Sequence, residues 1–142
     1  KDYARLKTMT KLSLAGGESL VSKAQFKTWI EARALDYLQP DSNLAGINEI
    51  MGIDKLVKKE GLKLILHNWT NDINNSANIH LAAALESCPM VEANLTYNPL
   101  RNNLVKEPMI VSKGEFILND KPGLGVELNQ SVVDEYSFNV SL

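Results

Sequence analysis

The sequence predicts an α/β protein in which short strands alternate strictly with helices, and three observations lead there. Segments 11–15, 34–38, 62–66 and one opening at Met90-Val91 have strand character, and the stretches between them carry apolar residues at helical spacing. The connections are short and punctuated by turn or stop residues: Gly16-Gly17, Gln39-Pro40-Asp41 and Gly61. Strict alternation then argues for parallel strands with right-handed crossovers. The pattern itself leaves open whether the sheet is an open, doubly wound one or an arc of a barrel.

The elements follow in order. Residues 2–7 read as the end of a helix, and Lys11-Leu-Ser-Leu-Ala15 as a strand stopped by Gly16-Gly17. Ser22 is a natural cap for a helix running through Phe26, Trp29 and Ile30, apolar at i, i+3 and i+4 with Lys and Glu opposite. After strand 34–38, Ile47, Ile50, Ile53, Leu56 and Val57 repeat at helical spacing, and Lys58, Lys59 and Gly61 form a stop with cations in the last turn. Strand 62–66 ends at His67. Ile73, Ala77, Leu81, Ala84 and Leu85 mark the next helix, and Met90-Val91 begins a strand carrying Glu92. Past Leu95 the pattern changes: 97–101 is loop-like, and 108–112 with 115–118 around Lys113-Gly114 predicts a β-hairpin. The tail runs through Pro122-Gly-Leu-Gly125.

Composition narrows the function. With 15 Lys+Arg against 17 Asp+Glu among 142 residues, the chain has no basic excess for neutralising phosphates, so nucleic acid is not an expected partner. The single Cys88 excludes an internal disulfide and lacks zinc-site spacing, which predicts a reducing, cytoplasmic compartment and a buried apolar role for the thiol. No apolar run approaches the length of a membrane span, so no membrane partner is expected. The start at Lys1 rather than Met carries the expectation of further sequence upstream, though trimming would look the same.

The chemistry lies where the strands end. Glu18, Asp41, His67 and Glu92 each stand at or just after the C-terminal end of one of four successive strands, the edge where loops converge on a rigid scaffold. A carboxylate such as Glu18 can ligate Mg²⁺, which prefers oxygen. An Asp held against one imidazole nitrogen sets the tautomer of the other, so Asp41 and His67 can form a dyad with His67 as general acid or base. A protonated Glu92 could donate a hydrogen bond to an oxyanion. Each has a plainer reading: Glu18 or Glu92 as a solvated loop carboxylate, Asp41 as a turn or helix cap, His67 as a hydrogen-bonded structural histidine. Recurrence at four strand ends favours the functional one. His80 sits inside a helical pattern and reads as structural, and Trp69 either packs under its loop or lines a pocket.

Gly16-Gly17-Glu18-Ser19, Leu38-Gln-Pro-Asp41 with Ala45-Gly46-Ile47, His67-Asn-Trp69, His80-Leu-Ala-Ala-Ala84, Asn98-Pro-Leu-Arg101 and Lys121-Pro-Gly-Leu-Gly-Val126 resemble, in order, the C-terminal half of enolase-superfamily enzymes. The similarity is to the mandelate racemase/muconate lactonizing enzyme branch, acid-sugar dehydratases in particular, and covers nearly the whole chain. It implies the C-terminal half of a (β/α)8 TIM-type barrel: four βα units over residues 1–95, then a segment over 96–142 with a β-hairpin returning to the capping-domain region. It implies Mg²⁺-assisted abstraction of the proton α to a carboxylate, giving an enediolate that is reprotonated (isomerase) or loses a β-hydroxyl (lyase). Glu18 resembles the last of three carboxylate metal ligands, Asp41 with His67 the dyad, and Glu92 the acid that binds the substrate carboxylate.

The family takes two further metal ligands and a Lys acid/base motif from strands that would precede Lys1, and Ala45-Gly46 stands where a double glycine is usual. The expectation is therefore a fragment of a Mg²⁺-dependent enzyme, inactive as the isolated chain. A half-barrel leaves strand edges unpaired, which predicts homo-oligomerisation. The rival readings are a non-catalytic half-barrel acting as a self-associating module and an unrelated α/β binding domain. For the latter, Gly16-Gly17-Glu18 is too short and acidic to cradle phosphate.

Overall fold

A computed structural model describes residues 2–138. Lys1 and residues 139–142, the last part of the predicted C-terminal segment, lie outside the described residues. Helix α1 (Asp2–Met9) leads into four βα units built from β1 (Ala15–Gly16), α2 (Lys23–Glu31), β2 (Tyr37–Leu38), α3 (Ser42–Ala45), α4 (Ile47–Lys59), β3 (Lys63–Leu66), α5 (Asp72–Ala84) and β4 (Met90–Val91). The strands form one parallel sheet in the order β1-β2-β3-β4. Beyond it lie α6 (Pro99–Asn102), the hairpin β5 (Val111–Ser112) and β6 (Glu115–Phe116), and α7 (Gln130–Tyr136).

Local chemistry sets these boundaries. Ser22 caps α2 by accepting from the Gln25 amide. Helix α4 ends in a Schellman closure: Leu62 N–H reaches Val57 O (3.0 Å) and Gly61 N–H reaches Lys58 O (3.2 Å). Gly61 sits there at φ 66°, a left-handed conformation that costs glycine nothing. Lys113 and Gly114 both have positive φ, the two-residue turn that matches strand twist in a hairpin.

Several predicted boundaries shift. The first strand is Ala15–Gly16 rather than 11–15, because Asp36 and Tyr37 pair only from Leu14 onward, leaving Leu12 exposed. Residues 34–36 precede β2: Ala34 N–H still bonds Trp29 O (3.3 Å), and Arg33 turns through positive φ to leave the helix. Residues 99–102 of the predicted loop are the short helix α6, capped by the Asn98 side chain.

The core fills the space between helices and sheet. Phe26 and Ile30 of α2, Ile50, Ile53 and Val57 of α4, Leu81 of α5, and Leu38, Leu64 and Leu66 of the strands form one buried cluster. Each large side chain so buried contributes about 1.5–3 kcal/mol. The register puts Gly16, Leu38, Leu64, Leu66 and Val91 on the helix-covered face, and Ala15, Tyr37, Lys63, Ile65 and Met90 on the other. That second face is only partly covered, with Met90 53 % exposed.

Candidate active site

Backbone pairing continues past the named strands and fixes the functional edge. Gln39 N–H bonds Gly16 O (2.8 Å), His67 N–H bonds Pro40 O (3.1 Å) and Glu92 N–H bonds Leu66 O (3.1 Å). Glu18, Asp41, His67 and Glu92 therefore follow the C-terminal ends of adjacent parallel strands.

The structure joins two of the four directly. Asp41 Oδ2 lies 2.9 Å from His67 Nδ1. Asp41 is buried, and its Oδ1 accepts from the Asn43 amide (2.9 Å), capping α3, and from Asn74 Nδ2 (2.9 Å). One oxygen of Asp41 thus caps α3 while the other faces the His67 ring. The His67 side chain remains 22 % exposed and stacks on Trp69, with rings 7° from parallel and centroids 6.4 Å apart. Trp69 is largely exposed and lines an opening at the edge with Glu92 and Asn94, not a packing site beneath the loop.

Glu92 is reached from two neighbouring strand ends. Its Oε1 accepts from Gln39 Nε2 (2.6 Å) and its Oε2 from the Asn68 amide (3.2 Å). Glu18 lies in an exposed turn and makes no hydrogen bond among the described residues. Nothing in these contacts ties it to the other three. Because Mg²⁺ takes several oxygen ligands, Glu18 fits as one of a set. Asp41 and Glu92 are engaged elsewhere, and among the described residues no group of three or more His, Cys, Asp or Glu gathers around a possible ion. Among the described residues these side chains form no complete metal site.

The residues that sequence reading missed are amides. Asn78 donates from Nδ2 to His67 O (2.8 Å) and accepts at Oδ1 from the Ser42 amide (3.1 Å), tying two strand-end loops together. Asn68 donates to Glu92 O (3.1 Å) and to Asn75. The apolar spacing that marks α5 does not coincide with its buried face: Ile73 is 37 % exposed, while Asp72, Asn74, Ser76 and Asn78 are buried. A signal was present, since asparagines inside a helix are poor helix formers and need another reason to be there.

Asp72 lies outside the cluster, lining a cavity of about 310 Å³ with Thr70, Asn94 and Arg101. Burial pushes its carboxyl up to about 6, opposed by the facing Val105 and Leu104 amides and by Arg101. None of these completes a hydrogen bond of good geometry to its oxygens among the described residues. Arg101 instead donates to the carbonyls of Thr96 (2.8 Å) and Trp69. His80 bonds Ser76 O within α5 through Nδ1 (2.8 Å), the structural role expected. Burial raises the Cys88 thiol above its ordinary range, in keeping with a packing role. Among the described residues no helix is long and apolar enough to cross a membrane.

Known proteins are similar to this chain in sequence and fold. A family model described as Enolase C-terminal domain-like matches residues 1–132. The chain is 35 % identical over 134 residues to the arabinonate dehydratase of Saccharolobus solfataricus, covering 94 % of this chain and 36 % of that protein. It is 29 % identical to the D-galactarolactone cycloisomerase of Agrobacterium fabrum, covering 94 % of this chain and 38 % of that protein. The crystal structure of the 3,6-anhydro-D-galactonate cycloisomerase from Zobellia galactanivorans matches with a TM-score of 0.88 and 31 % identity, over 94 % of this chain and 38 % of that one. The chain belongs to the enolase superfamily, in its C-terminal domain-like family, and its four βα units are the C-terminal half of the (β/α)8 barrel. It spans well under half the length of these relatives.

Proposed function

We propose that this chain supplies the dyad half of a cytoplasmic, Mg²⁺-dependent lyase or isomerase that removes the proton α to the carboxylate of an acid sugar or related hydroxy-acid. The observation that carries this reading is the 2.9 Å contact between Asp41 Oδ2 and His67 Nδ1 at the C-terminal edge of a parallel sheet. Asp41 holds the proton on Nδ1, which leaves the Nε2 lone pair to take the α-proton or to return a proton to a departing β-hydroxyl. Glu92, oriented by Gln39 and Asn68, serves the substrate carboxylate. Glu18 would be this chain's ligand to Mg²⁺, whose charge would stabilise the anion formed at the carboxylate. Dehydration is the favoured outcome, given the similarity to a dehydratase. Residues 1–95 act as the half-barrel and 96–142 as the segment returning to the capping region. The isolated chain is inactive, because one carboxylate does not induce Mg²⁺ to shed its water.

A second reading, a self-associating non-catalytic half-barrel, draws on the partly uncovered inner face with Met90 exposed. Calorimetry with Mg²⁺ and α-proton exchange of acid sugars in deuterated water separate the two. The enzyme reading expects weak metal binding and no exchange by this chain, and both activities once the missing strands are restored. Tight metal binding or clear exchange by the chain alone would overturn the inactive-fragment reading, and no exchange by the completed barrel would favour the module.

A further inference from the structure

We propose that Asn74 is a positioning residue for the dyad, selecting the tautomer of His67 through Asp41. It deepens the reading of Asp41 and His67 as the acid–base pair and rests on it. Asn74 is buried on the first turn of α5. Its Nδ2 donates to Asp41 Oδ1 (2.9 Å), and its Oδ1 accepts from the Ser42 hydroxyl (2.8 Å). With a hydroxyl donor on one side and a carboxylate acceptor on the other, only one orientation of the amide satisfies both.

The consequence passes through the carboxylate. Asp41 Oδ1 is held by two donors, the Asn43 amide and Asn74. The carboxylate plane is therefore set, and Oδ2 is left facing His67 Nδ1. The Asn43 amide alone is a single anchor about which the carboxylate could rotate. Asn74 removes that freedom from a different element, so Oδ2 cannot leave the imidazole without breaking a second hydrogen bond. The imidazole that keeps its proton on Nδ1 presents a bare Nε2 to the edge, the form that a general base requires. Asn78 fixes the same histidine from the main-chain side through His67 O (2.8 Å), so α5 sets both where the ring stands and which nitrogen carries the proton.

The test reads the tautomer rather than turnover. The ring nitrogens of the two histidines of the full chain are labelled with nitrogen-15 and their shifts recorded at neutral pH. His80, whose Nδ1 bonds Ser76 O (2.8 Å), is the internal control. In Asn74→Leu, which keeps the side-chain shape and removes the donor, the ratio of Nδ1–H to Nε2–H forms of His67 falls on the order of tenfold, as expected for the loss of one hydrogen bond to a charged group, while His80 is unmoved. An unchanged His67 with an intact His80 signal overturns the proposal. If both histidines collapse together because the variant fails to fold, Ser42→Ala decides instead, since it removes only the hydroxyl that orients the amide. A shift of His67 alone then supports the proposal, and no shift overturns it. Failure of α-proton exchange in the completed barrel would sink the catalytic reading without touching this result.

Discussion

Neutralising Asp72 should make the protein more stable at neutral pH, although it removes a charge from the first turn of a helix. Raising a carboxyl from 3.8 to about 6 means that ionising it in the fold costs about 3 kcal/mol more than in the unfolded chain. Asp72→Asn recovers that cost but gives up about 0.3–1 kcal/mol of attraction to the N-terminal end of α5. The expected net gain is about 2 kcal/mol. The folded value lies above the unfolded one, so the favourable protonated state is fully present below the unfolded value and is lost as pH rises through about 6. Urea denaturation of both proteins at about pH 7.5 and about pH 4 measures the effect, with the variant ahead at the higher pH and its advantage gone at the lower. A variant less stable than the parent at the higher pH, or a gap that does not narrow on acidification, would refute the reasoning. In the first case the Val105 and Leu104 amides would have to be satisfying the charge better than their geometry indicates.

In the completed barrel, Asp41→Asn should lower α-proton exchange about a hundred- to ten-thousand-fold, because an amide can point its N–H at His67 and hold the wrong tautomer; retention of most activity would count against the dyad. Gln39→Leu withdraws the 2.6 Å donor to Glu92 Oε1 and should cost about 1 kcal/mol, less than is usual for a charged acceptor because Glu92 is partly solvated. A denaturation midpoint equal to the parent's would mean that the contact contributes nothing. The chain should also self-associate through its uncovered sheet face and edges, and Met90→Lys, a charge placed on edge strand β4, should shift the light-scattering mass toward monomer. A stable monomer at high concentration would dismiss that interface.

The alternation of strand and helix, the Ser22 cap, the Gly61 stop and the hairpin at Lys113-Gly114 were legible in the sequence because each depends on residues a few positions apart. So was the placement of Glu18, Asp41, His67 and Glu92 at successive strand ends, since strand ends are marked locally by turn residues. Strand lengths were less legible: residues 11–13 have strand character but no strand partner among the described residues, and pairing is decided by the neighbour. The amides were hidden for the same reason. Asn74 and Asn78 look like polar interruptions of an apolar helix until α5 packs against the β2 and β3 ends, where burial obliges each polar atom to find a partner and Asp41, Ser42 and His67 provide them. Ile73 belongs to the apolar spacing that marks α5 and yet is exposed, because helical periodicity marks a stripe without saying what lies opposite it. Sequence thus determined which chemical groups arrive at the edge, through short-range rules. Only tertiary packing decided which groups hold them there, because hydrogen bonds between residues about thirty positions apart exist only once the chain has closed on itself.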